Sequence, residues 1–189
     1  MSVPQDPFFD DLDDSDVGAL EEALSQLPPV APDPNLRQAL LEASARSHRF
    51  EELVAPFART ADIDEATVER LLLAIDEPAQ WSQGPAPWIH LLHFEGGPRT
   101  ARCITGIVKI DPGLRFPHHG HLGEEIALVL QGEAQSGGRT YERGDIMISG
   151  PAEEHDVVAT SDIPLLYLAV VAEGIRIGDD VFTFDDPRA

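Results

Sequence analysis

Apolar positions change their period partway along the chain. Leu20, Ala23, Leu24 and Leu27 recur at helical spacing until Pro28-Pro29 stops the run. Asp33 then precedes Pro34, a capping residue followed by a proline suited to a first turn, and Leu36, Ala39, Leu40 and Ala43 form one apolar face. Phe50, Leu53, Val54 and Phe57 make a third stripe, which Pro56 keeps short. Asp64 caps a fourth, with Val68, Leu71, Leu72 and Ile75 on one side. Each stripe reads as a face turned to a core. Near residue 80 the character changes. Trp81, Gly84, Pro85 and Pro87 mark a loop, and runs of strand composition follow at 88–94, 101–110, 126–130, 146–148, 155–159 and 165–171. Gly96-Gly97-Pro98, Asp111-Pro112-Gly113, Ser136-Gly137-Gly138 and Arg143-Gly144-Asp145 separate them. Short strands at this spacing predict a sandwich or barrel. The expected layout is a disordered acidic tail over 1–18, a helical segment over 19–80 and a β-barrel domain over 81–189, so the chain is mainly β.

Charge narrows the partners. Thirteen basic against 34 acidic residues give a net charge of -21 over 189 residues. Such a surface repels nucleic acid and anionic membranes and favours a basic protein partner. Asp6, Asp10, Asp11, Asp13, Asp14 and Asp16 repel one another and resist compaction of the tail, which Phe8 and Phe9 interrupt. Cys103 is the sole cysteine, which excludes an intramolecular disulfide and any zinc site built on several thiolates. No run of about 18 apolar residues exists to span a membrane, and the N-terminal residues lack a signal-peptide pattern, so the cytoplasm is the expected location.

Metal-capable side chains concentrate between Gly113 and Glu125. Successive strand residues point to opposite faces, so His119 and His121 share one face, and Glu125 joins them if the chain stays extended. His118 and Glu124 have the other parity and turn away. Imidazoles and a carboxylate converging inside a barrel are costly to bury unless a cation satisfies them. His155 opens another apolar run and can supply a fourth ligand across the barrel. His90 and His93 fall on opposite strand faces, so at most one looks inward. Trp81 and Trp88 read as core or barrel-mouth residues, and Cys103 as a buried, inert thiol.

The stretch resembles the first cupin motif, G-x5-H-x-H-x3-E-x6-G, at Gly113, His119, His121, Glu125 and Gly132. The second motif, G-x5-P-x-G-x2-H-x3-N, matches in part. Gly144, Pro151 and His155 are present, but Pro151 comes one residue late, Glu153 stands in the place of a glycine and Ala159 in that of the asparagine. Residues 116–125, 128–132 and 141–145 resemble the cupin domain of ChrR-type anti-sigma factors most. That resemblance implies a double-stranded β-helix (jelly-roll) barrel with one divalent metal ion, zinc foremost, on His119, His121, Glu125 and His155. It also implies a sensory or regulatory role in oxidant stress with a sigma-like partner, and by cupin analogy a homodimer. In that family an N-terminal helical domain carries its own zinc on a His-x3-Cys-x2-Cys pattern. This chain, with Cys103 alone, lacks that pattern, so the metal site carries over more directly than the anti-sigma function. The alternative is a cupin enzyme (dioxygenase, isomerase or decarboxylase) holding Fe(II), Mn(II) or Ni(II) with open positions for a small-molecule ligand. Glu124, Tyr141 and His118 are then the nearest acid–base candidates.

Overall fold

A computed structural model describes residues 18, 33, 35–38, 40, 41 and 48–186. The acidic tail and the helix expected from Leu20 to Leu27 lie outside the described residues. The chain divides into two compact units, Met1–Glu42 and Ala43–Ala189. In the first, Leu36 to Gln38, Leu40 and Leu41 are helical. The Asp33 carboxylate accepts from the Asn35 amide at 2.7 Å and its carbonyl from the Leu36 amide at 2.9 Å, the start that the Asp33-Pro34 pair predicts.

The second unit opens with a 3-10 turn, Glu51–Leu53, and helix α1, Val54–Ala61. Helix α2, Glu65–Ala74, begins where Asp64 accepts from the Thr67 amide at 2.9 Å, as the capping reading expected. Twelve strands follow: β1 Ser82–Gln83, β2 Ile89–His93, β3 Cys103–Ile110, β4 Arg115–His121, β5 Glu125–Gln131, β6 Glu133–Ser136, β7 Arg139–Glu142, β8 Ile146–Ser149, β9 Glu154–Ala159, β10 Leu165–Ala172, β11 Ile175–Ile177 and β12 Asp180–Phe182. They form two antiparallel sheets of six, ordered β1-β2-β3-β10-β5-β8 and β12-β11-β4-β9-β6-β7. The fold is the expected mainly-β class. Residues from both sheets, among them Val108, Val129, Tyr167, Phe116 and Val157, share one interior core.

The first sheet is covered on both sides. Along β10, Leu165, Tyr167, Ala169 and Val171 face the interior, while Leu166, Leu168 and Val170 pack under the helices with Phe57, Val68 and Leu72. That is why this strand reads as an unbroken apolar run rather than an alternation. Phe57 is fully buried, its ring 5.7 Å from that of Phe94. The end of α1 is tied to the loop before β3. Asp62 takes a left-handed conformation (φ 58°), its carboxylate accepting from the Arg99 amide at 2.8 Å and Nε at 2.7 Å. The Gly97 amide donates to the Ala61 carbonyl at 3.0 Å. A Cβ at residue 97 would lie 1.7 Å from the Asp62 carbonyl oxygen, so only glycine permits this approach.

Two departures from simple strand reading shape the site. Between Phe116 and His119 the β4–β9 register shifts by one residue. This bulge at Pro117 and His118 explains how Phe116 and His119, three residues apart, both come to be buried and in ring contact. Secondly, the chain does not stay extended from His121 to Glu125. It turns through residues 122–124 and crosses to the other sheet, where Glu125 opens β5. Gly123 allows that corner, because a Cβ there would lie 2.6 Å from the Ala172 carbonyl oxygen.

A candidate metal centre beside an apolar cavity

His119, His121, Glu125 and His155 come together in the barrel interior, one ligand-capable atom of each lying within 4.8 Å of all the others. Strand β4 supplies His119 and His121 on one face, as parity requires. Glu125 joins them from the other sheet, around the corner rather than along one extended strand, which corrects the sequence argument while keeping its residue. His155 is not opposite but adjacent: it pairs directly with His119 across β4 and β9. The Nε2 atom of His155 lies 3.1 Å from that of His119 and 3.3 Å from that of His121. Oε2 of Glu125 is 3.5 Å from His121 Nε2 and 3.7 Å from His155 Nε2.

The outer nitrogens fix how two of these rings present themselves. His119 Nδ1–H donates to the Pro117 carbonyl at 2.9 Å, so the bulge leaves the Nε2 lone pair pointing into the cluster. His155 Nδ1 meets the hydroxyls of Ser136 and Ser149, each at 3.2 Å, one from each sheet. His121 Nδ1 is buried with no partner among the described residues. Burial drives the His119 and His121 pKa values down to about 4 and lowers that of His155, while it pushes the Glu125 carboxyl up to about 7. The three rings are therefore neutral at pH 7, the form that binds metals. Neutral imidazole nitrogens crowded at 3.1 to 3.3 Å cannot all satisfy one another. A cation between them would. Arms of about 2.0–2.2 Å around such an ion give neighbouring donors roughly 3–3.5 Å apart, in keeping with the 3.1 and 3.3 Å between the histidine nitrogens.

A cavity of about 300 Å3 reaches His119 and Glu125. Its walls are largely apolar, with Leu91, Val108, Phe116, Ala169, Val171 and Ile177 among them, and Tyr167 also lines it. Tyr167 as a whole is 3% exposed, and burial, reinforced by the Glu125 charge, raises its pKa well above the ordinary value. Sequence reasoning passed over Tyr167, Ser136 and Ser149. The one available signal was a single polar-tipped side chain inside the aliphatic run of β10.

The remaining sequence candidates fall elsewhere. Glu124 and His118 are exposed, as their parity required. His118 lies against Asp156 at 2.8 Å on the outside, and the hydrogen bond raises its pKa. Tyr141 is half-buried on β7 and does not line the cavity. His93 lines the cavity and His90 does not. Trp81 donates to the Ile75 carbonyl at 3.0 Å and Trp88 to that of Arg115 at 2.9 Å. Cys103 is half-buried, and desolvation raises its pKa, so little reactive thiolate forms. In the turn before β9 the left-handed residue is Ala152 (φ 65°), not Glu153. The Glu153 carboxylate instead accepts from the Gly150 amide at 2.9 Å.

Two facing antiparallel sheets enclosing a three-histidine, one-carboxylate cluster define a cupin-type barrel. The model of the ChrR cupin-like domain matches residues 69–171, more than half of the chain, and the chain belongs to that family. The anti-sigma-E factor ChrR of Cereibacter sphaeroides is 33% identical over 79 residues, 42% of this chain and 37% of that protein. The match thus spans little more than a third of that relative. The solved complex of Rhodobacter sphaeroides SigE with the anti-sigma ChrR resembles 83% of this chain, over 78% of that chain, at 24% identity and a TM-score of 0.50, a likeness of fold. An acetylacetone dioxygenase from Acinetobacter johnsonii resembles 57% of this chain, over 81% of its own, at 14% identity and a TM-score of 0.48, too loosely to bear on chemistry. Among the described residues no helix is long and apolar enough to cross a membrane.

Proposed function

We propose that His119, His121, Glu125 and His155 hold one divalent metal ion, zinc first, and that the chain is a regulatory member of its family with a sigma-like protein as partner. The observation that carries the metal reading is the burial of three neutral imidazoles and one carboxyl with their donor atoms turned on one another. The named role of the matched relative, anti-sigma-E factor, supports the regulatory reading. So does the net charge of -21, which suits a basic partner. One observation favours the second reading, a metal-dependent enzyme acting on a small molecule: the cavity gives such a molecule access to His119 and Glu125.

Elemental mass spectrometry of protein purified under nitrogen, without added metal or chelator, separates these readings. The expected result is about one zinc per chain with no oxygen uptake. Iron, manganese or nickel together with turnover of a small molecule would move the assignment to the enzyme. Protein that takes up no divalent metal even when titrated with it would refute the site.

A further inference from the structure

We propose that the cavity beside the cluster is a binding site for a small molecule with a hydrocarbon body and a single oxygen-bearing head, the head lying between the metal ion and the Tyr167 hydroxyl. The inference rests on the metal reading above and adds the class of ligand.

Three observations carry it. First, Tyr167 lines the cavity, and its hydroxyl makes no hydrogen bond among the described residues and is not sealed within packing, since the one fully buried polar side-chain atom without a partner there is His121 Nδ1. A phenol hydroxyl facing a largely apolar cavity is a ready donor to an acceptor that enters it. Secondly, the same cavity is lined by His119 and Glu125, so an oxygen head that meets the phenol is brought to the metal-facing side as well. Thirdly, the rest of the lining selects against polar bodies. No lysine or arginine lines it among the described residues, and the walls are mostly aliphatic or phenylalanine side chains. A sugar acid or a phosphate ester would bring hydroxyls or added charge that the aliphatic walls cannot pair, the other polar side chains of the lining being Gln83 and His93, both exposed. At about 300 Å3 the cavity lies at the small end of ligand sites, with room for roughly ten water-sized volumes.

The test uses the full chain loaded with cobalt(II), whose absorption reports ligands entering the metal's coordination shell, and two carboxylates of similar size, hexanoate and threonate. Calorimetry and the cobalt bands are followed together. Hexanoate is expected to shift the bands and to bind at least about tenfold more tightly than threonate, whose hydroxyls meet mostly aliphatic walls. Tyr167→Phe, which removes only the hydroxyl, is expected to weaken hexanoate about tenfold while bound cobalt and melting temperature stay near those of the parent. Ala169→Leu, which fills the cavity two residues along the same face of β10, is expected to weaken hexanoate without loss of cobalt. Threonate binding as tightly as hexanoate, no hexanoate binding to cobalt-loaded protein, or an unchanged Tyr167→Phe variant would each overturn the inference. Failure of the protein to take up cobalt would instead overturn the metal reading on which it rests.

Discussion

Loading the metal-free protein with zinc at pH 6 should release between about one and two protons per ion, and mainly from a carboxyl rather than from imidazoles. The reasoning starts from burial. Ordinary histidines titrate near 6.5, so three of them at pH 6 would carry roughly 2.3 protons, and an ordinary glutamate almost none. Here desolvation reverses the pattern. With His119 and His121 near 4, each holds about 0.01 proton at pH 6, and Glu125 near 7 holds about 0.9. His155, also lowered, adds something below its ordinary share of about 0.8. Zinc needs neutral imidazoles and an ionised carboxylate, so the displaced protons number about 0.9 to 1.7 at pH 6, and the Glu125 share falls to about 0.1 at pH 8. The assay is calorimetric titration in buffers of different ionisation enthalpy, in which the apparent heat varies linearly with buffer and the slope is the proton count. Glu125→Gln should remove most of the release at pH 6. More than two protons at pH 6, or a release insensitive to Glu125→Gln, would refute the claim that burial sets the charge state of this cluster.

Three further outcomes follow from the same geometry. His121→Ala should strip most of the bound metal and lower the melting temperature of the holoprotein, read by elemental analysis and calorimetry; unchanged metal content would remove His121 from the site. Phe57→Ala should cost about 3–5 kcal/mol, since the side chain is fully buried against Phe94 between helix and sheet; denaturant unfolding measures it. The metal-free protein should gain stability as pH rises from about 4.5 to 6.5. There the depressed His119 and His121 favour the folded state as the unfolded histidines lose their protons, and together they outweigh the raised Glu125, whose contribution falls from 4.5 to 7. Glu125→Gln should steepen that rise, as urea unfolding across the pH range would show.

Much of the architecture was legible because period and composition change near residue 80. The strands missed were short and polar, Glu133–Ser136 and Arg139–Glu142 above all, whose outward residues leave no apolar run to notice. Strand parity put His119 and His121 on one face, and the cupin spacing pointed to Glu125. Parity itself would have placed Glu125 on an extended strand that does not exist, because a corner at Gly123 moves the next strand into the other sheet. The bulge at Pro117 is equally silent in sequence, although a proline inside a strand run is its physical trace. Tyr167 stayed hidden for a different reason. In a strand buried on both faces, apolarity no longer says which residues look inward, so the cavity wall and the helix-facing wall read alike.

That two-faced sheet gives the regulatory reading a route that can be measured. Glu125 opens β5, and Leu128 and Leu130 on the same strand pack against the helix-side core with Phe57 and Leu72. Tyr167 sits between Leu166 and Leu168, which join that core from β10. Glu125 and Tyr167 face the cavity, but alternate residues of one backbone line the two faces of the sheet, so a shift of either strand carries Leu128, Leu130, Leu166 and Leu168 against the close-packed helix-side core. Without a cation, Glu125 stands near its protonation midpoint at pH 7 and the three imidazoles have only one another. The strands most affected are therefore β5 and β10, and the helix resting on them is α1, whose Phe57, Ala58 and Ala61 are buried. Hydrogen exchange followed by mass spectrometry on the zinc-loaded and metal-free forms should show faster exchange in residues 54–61 as well as in 125–131 once zinc is removed. Changes confined to 115–125 and 154–159, with α1 exchanging identically in both forms, would mean that the helix does not sense the metal and would leave the family's regulatory role without a path through this sheet.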